Sequence, residues 1–232
     1  MQRFENEVEE RAFRSQVMHA AAQAALPADA PAAWRGLLDG ESSVVDAFTT
    51  TSCSYLVTTR ALPHAPVPRR GVIMLERVLT GSYPKRLAAD LNLSTSTVAT
   101  ALKDSLDRLG AACLPSKVPF GLAALACAAC SEGVCPKVYV SGARLLGFDC
   151  EILTTAVPSL THLLSPTVEE VLRMHVAGRT HREIAALRGT SCRTIANQLG
   201  VAFRRLGGSG RLSVLEVLLS LCHEQPPYGL PA

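Results

Sequence analysis

The sequence predicts a mainly α fold made of two tandem four-helix units, each preceded by a short antiparallel β segment. Three observations predict it. Residues 81–110 recur without a gap as residues 178–207. Apolar residues in both copies fall at helical spacing. Glycine and hydroxyl residues punctuate the two copies at the same offsets, as the start and stop signals of helices do.

The repeat sets GSYPKRLAADLNLSTSTVATALKDSLDRLG beside GRTHREIAALRGTSCRTIANQLGVAFRRLG, a shift of 97 residues. Gly81 meets Gly178, Ala88 meets Ala185, Ala89 meets Ala186, Ser94 meets Ser191, and Thr97 meets Thr194. The closing Arg108-Leu109-Gly110 meets Arg205-Leu206-Gly207. Upstream, Leu75 and Leu79 fall on Leu172 and Val176, and a strand containing Thr-Thr precedes each copy, at Tyr55 to Thr59 and at Glu151 to Thr155. The chain therefore divides into an N-terminal helix and linker (1–31), a first unit (32–131) and a second unit (132–232).

In the opening segment, acids from Glu5 to Glu10 alternate with Phe4, Val8, Phe13 and Val17 at helical spacing, which reads as a solvated amphipathic helix or a docking helix. The first unit predicts helices over Arg70 to Leu79 and Lys85 to Asp90, a turn at Asn92, a helix capped by Ser94 that runs to Leu109, and a fourth over Pro119 to Ala129. In the second unit, Ser165-Pro166 supplies a capping hydroxyl and a first-turn proline, and Glu169 and Glu170 suit the positive helix end. Val168, Val171, Leu172 and Val176 line one face and Gly178 ends the helix. His181 to Leu187 follows, then the turn Arg188-Gly189-Thr190, a third helix capped by Ser191 that runs to Leu206, and a fourth over Leu212 to Leu221. Helix, break, short helix, tight turn and capped helix is the helix-turn-helix plan.

With 48% apolar and 19% charged residues the chain can bury a core. The chain has no run of about 18 apolar residues that would suggest a membrane span, so a cytoplasmic protein is expected, nucleoid-associated if it binds DNA. The net charge of +3 is uneven: residues 1–46 carry −4, residues 69–120 carry +4 and residues 165–211 carry +5. The two basic stretches are where nucleic acid is expected. Eight cysteines in such a compartment are expected as reduced thiols. Cys127 and Cys130, with Cys135 and Cys150 beyond, suggest a metal or redox pair, but the first two continue the buried face of Leu122 and Leu125 and read as core thiols. His64, His162, His175 and His181 make no catalytic pattern, and His175 and His181 read as surface residues. Neither an enzyme nor a cofactor is expected.

The second copy resembles the LuxR/FixJ-type helix-turn-helix family in Leu164-Ser165-Pro166, Glu170-Val171-Leu172, Gly178, Glu183-Ile184-Ala185, Ser191-x-Arg193-Thr194-Ile195, Asn197, Arg204-x-Leu206-Gly207 and Ser209-x-Arg211. The first copy keeps Leu87-Ala88, Leu91-Asn92-Leu93-Ser94, Ser96-Thr97-Val98 and Arg108-Leu109-Gly110 but loses the Ser-Pro start and the final Ser-x-Arg. From AAWRGLLDGESSVVDAFTTTSCSYLVTTR onward, the chain is similar to tandem LuxR-like regulators of myxobacterial type. The resemblance implies a sequence-specific transcription regulator whose third helix enters the major groove of double-stranded DNA. Ser191, Arg193, Thr194, Asn197 and Gln198 would meet base edges, and Arg182, Arg204, Arg205 and Arg211 would hold phosphates. The first copy offers Ser94, Thr95, Ser96, Thr100 and Lys103, opposed by Asp104 and Asp107.

Departures from the family are Arg188 and Thr190 in place of turn aliphatics, and Ala196, Asn197, Gln198 and Gly200 where many members present lysine or histidine. Arg188 and Gly200, together with Asp104 and Asp107 of the first copy, support a second reading, an interaction adaptor or anti-activator on retired scaffolds. RNA polymerase is a candidate partner. A homodimer is expected, favoured over an intrachain pseudo-dimer because of the acids in the first copy. The pseudo-dimer would join Phe120, Leu122, Leu125 and Cys127 to Val214, Leu215, Val217, Leu218 and Leu221.

Overall fold

The structure is a computed structural model that describes residues 6–23, 26–111, 118–130, 135–208 and 210–222. In chain order, α1 (Glu7–Gln23), the short β1 (Leu26–Pro27) and α2 (Ala30–Leu38) lead into the hairpin β2 (Ser43–Thr49) and β3 (Cys53–Thr59). Helices α3 (Arg69–Leu79), α4 (Pro84–Asp90), α5 (Thr95–Arg108) and α6 (Phe120–Cys130) follow. The second hairpin is β4 (Val138–Leu145) and β5 (Phe148–Ala156), and the chain continues through α7 (Pro166–Val176), α8 (His181–Arg188), α9 (Cys192–Arg205) and α10 (Arg211–Leu221).

The expectation of a mainly α chain of two helix-turn-helix units is corrected. Both hairpins join one five-stranded antiparallel sheet in the order β1-β4-β5-β3-β2, and with 56% helix and 16% strand among the described residues the fold is α/β. The physical reason is the pairing of β3 with β5, which joins residues far apart in the chain and leaves no trace in local periodicity. Alternation is also hidden, because β3 is buried at all seven positions, as a strand covered on both faces must be. On one face Phe13, Val17 and Ala21 of α1 pack on Cys53, Tyr55, Val57, Cys150 and Ile152. On the other, Leu56 and Leu153 join the main core with α6, whose residues 120–126 are buried all round.

The ladder has a centre. Leu56 pairs with Leu153, and these two residues are themselves related by the 97-residue shift. On either side the pairs Tyr55 with Thr154 and Val57 with Ile152 exchange under the same shift. A pseudo-twofold axis therefore passes between the two leucines, the arrangement of an isologous interface held within one chain. The helices obey the same offset: α3 and α7 begin at residues 69 and 166, α4 and α8 at 84 and 181, α5 and α9 at 95 and 192.

Helix α10 packs against both α6 and α7. Arg211, only 9% exposed, donates to the carbonyl oxygens of His175 and Val176 at the end of α7 and of Val118 ahead of α6. A Cβ at Gly81 would meet the Glu216 side chain at 2.9 Å, so α10 also lies against the first half.

Several local expectations are also adjusted. Ser165 precedes α7 without a side-chain cap bond. In α1, Val8 is 77% exposed, because the sheet meets the helix along Phe13, Val17 and Ala21; Phe4 lies outside the described residues. Cys127 is half-buried and Cys130 exposed, because the buried part of α6 ends at Ala126. His175 is half-buried, since α10 brings Arg211 over the end of α7.

Candidate nucleic-acid interface

Helix α8 starts with a capping box between Thr180 and Glu183 and ends at Gly189, whose φ of +61° closes the helix in the left-handed region that glycine adopts without a Cβ penalty. Ser191 caps α9 by accepting the Thr194 N–H at 3.0 Å. Ile184 and Ala185 of α8 and Ile195, Leu199 and Ala202 of α9 are buried with Val171, Leu172 and Val176 of α7. This inner face fixes α9 and sets its opposite face to the outside.

On that outer face Ser191, Arg193, Thr194, Asn197 and Arg204 are exposed, as is Arg182 on α8. Arg193, Asn197 and Arg204 stand at helical offsets of four and seven residues, on one side of the helix. No acidic residue occurs in α9. Glu170, a nearby acid on α7, is bound to Arg188.

Three residues chosen from the sequence are placed differently. Gln198 is half-buried, with its Oε1 enclosed and without a hydrogen-bond partner. Arg205 is exposed but donates to the Leu163 carbonyl at 2.8 Å. Arg211 lies inside the molecule on the three carbonyls already described, away from the α9 face. Arg179, which the sequence did not single out, and His181, expected as a surface residue, are exposed beside Arg182 at the start of α8. Their signal was the GRTHRE run itself, whose basic and polar residues surround a capped helix start.

In the first half Ser94, Thr95, Ser96, Thr100 and Lys103 are all exposed on α5. Ser94 caps the helix through the Thr97 N–H at 3.0 Å and lies 2.7 Å from the Ser96 hydroxyl. Asn92, with φ of 52°, fills the left-handed position that Gly189 fills in the second half. The outer face differs in charge. Lys103 donates to Asp107 at 2.7 Å, and that bond raises its pKa above the ordinary lysine value. Asp104 is exposed alongside. Position by position, Ser96 of α5 stands where α9 has Arg193, Thr100 where it has Asn197, Lys103 where it has Gly200, and Asp107 where it has Arg204.

The described cysteines are free thiols, and among the described residues no group of three or more histidine, cysteine or acidic side chains is placed to hold a metal. Among them, too, no helix is long and apolar enough to cross a membrane. Comparison of the chain with known protein families, with curated proteins and with solved structures returns no match.

Proposed function

We propose that the chain is a sequence-specific DNA-binding regulator of transcription, acting in the cytoplasm on the nucleoid, in which α8 and α9 form a helix-turn-helix reader of the LuxR-like kind and α9 enters the major groove. The observation that carries this reading is the outer face of α9. It is free of acids, it holds Arg193, Asn197 and Arg204 on one side, and its inner face is locked to α7 and α8. Arg193 and Asn197, one turn apart, are set to meet base edges, Asn197 suiting an adenine, and Arg204, about 16 Å beyond Arg193 at about 1.5 Å per residue, is set to hold a phosphate past the edge of a groove about 12 Å wide.

The contact of α10 with α6, together with the shared sheet, supports the pseudo-dimer over the homodimer. One chain then carries both halves of a reader, and the acids on α5 make those halves unequal: α9 reads bases and α5 contributes little to phosphate binding. RNA polymerase stays the candidate protein partner. The neutralised α5 face favours a second reading for the first half alone, as an adaptor surface.

Selection of bound duplexes from a random pool by the full chain, followed by a salt titration, tests the proposal. Four to six phosphate contacts give a slope of log K against log salt of about −4 to −5. Binding that stays flat between low and physiological salt, or a pool with no enriched motif, leaves the adaptor reading.

A further inference from the structure

Gly200 lies in the interior of α9, where glycine is less favourable than alanine. Elsewhere in the chain a helical glycine has a packing reason: a Cβ at Gly71 would come within 2.5 Å of the Ser105 hydroxyl, and one at Gly121 within 3.2 Å of the Ser54 hydroxyl. Gly200 has none. A Cβ there would meet only Nη1 of Arg204, at 3.6 Å, which is ordinary contact. Its φ is not in the left-handed region, so the backbone does not require glycine either. The position opens on the outer face, between Asn197 and Arg204, and its counterpart on α5 is Lys103, a long side chain tied to Asp107.

We infer that Gly200 sets the depth at which α9 seats in the duplex: with no side chain there, the helix backbone comes into contact with the base edges between those met by Asn197 and the phosphate held by Arg204. This inference rests on the DNA-binding reading and adds a specificity-determining position to it. It also separates the two halves by a steric criterion independent of charge. On α5 the Lys103–Asp107 bridge occupies the space that α9 leaves open, so α5 cannot approach a groove to the same depth.

Gly200→Ala and Gly200→Leu in the full chain test it against the selected duplex and an unrelated duplex of the same length. The alanine variant should melt at a higher temperature, since the space is open and the helix gains propensity, yet bind the selected duplex about tenfold more weakly. The leucine variant should lose about a hundredfold on the selected duplex and much less on the unrelated one. A folded alanine or leucine variant that binds the selected duplex as tightly as the unsubstituted chain overturns the depth-setting role and leaves DNA binding standing. An unsubstituted chain that binds no duplex overturns the DNA-binding reading itself, and this inference with it.

Discussion

The guanidinium of Arg205 holds the carbonyl of Leu163 at 2.8 Å, across 42 residues of chain, and Arg108 holds that of Pro66 across the same span at 3.3 Å. Each arginine at the end of a third helix fastens the loop that leads into its own first helix. Arg205 is thereby a positioning residue for α9. Replacing it by Ala should cost about 0.5 to 1 kcal/mol in urea unfolding. Arg204→Ala should leave unfolding unchanged and reduce the salt slope of DNA binding by about one contact. The two variants exchanging these effects would reassign the roles.

Arg193 and Asn197 divide differently. If both reach base edges, Arg193→Ala and Asn197→Ala each weaken binding to the selected duplex by about 1 to 3 kcal/mol while unrelated duplexes lose less. Measured side by side, equal losses on both duplexes would move these residues to the phosphate backbone.

His175 provides a pH dependence. Burial first, and then the positive charges of Arg211 and His181, lower its pKa to about 4. The unfolded chain takes up this proton near pH 6.5, the folded chain only near 4, so between these values the unfolded state binds more protons. The stability is fully present above pH 6.5 and falls as the pH drops through that window. Melting temperatures recorded from pH 7 to pH 4 should fall more steeply for the natural chain than for His175→Leu, and parallel curves would remove the assignment.

Arg211 links the two halves through Val118 and the end of α7. Arg211→Leu strands three carbonyl oxygens and should cost about 3 kcal/mol or more. Because the halves share one sheet and one core, denaturant should still unfold the variant in a single transition. Two separated transitions by circular dichroism and by Trp34 fluorescence would show that the halves unfold independently.

The helices were legible because their signals are local. Ser94 and Ser191 do cap α5 and α9, Gly178 and Gly189 do adopt left-handed φ, and the shift that aligns the sequences also aligns the helix starts. The strands at Tyr55 to Thr59 and Glu151 to Thr155 were legible, and β3 and β5 contain them, but their union in one sheet was not. Pairing Leu56 with Leu153 is a matter of tertiary approach between residues far apart in the chain, which no local pattern records. The candidate site divides along the same line. The exposure of Arg193 and Asn197 follows from the helical period of Ile195, Leu199 and Ala202. Arg211 is taken inward by Val118, a residue of the other half that nothing near position 211 announces.

The central pairing of β3 with β5 also has a consequence for how the chain is made. At about 5 to 20 residues per second, roughly 5 to 20 s pass between the emergence of Thr59 from a ribosome and that of Ala156. Throughout that interval β3, an apolar strand, has one bare edge able to pair with any other extended chain. The finished sheet ends instead on the two-residue β1 and on β2, whose register shifts between Val44 and Asp46, so both final edges are poor templates for further strands. The hazard belongs to synthesis, and it passes when the second hairpin closes on the first.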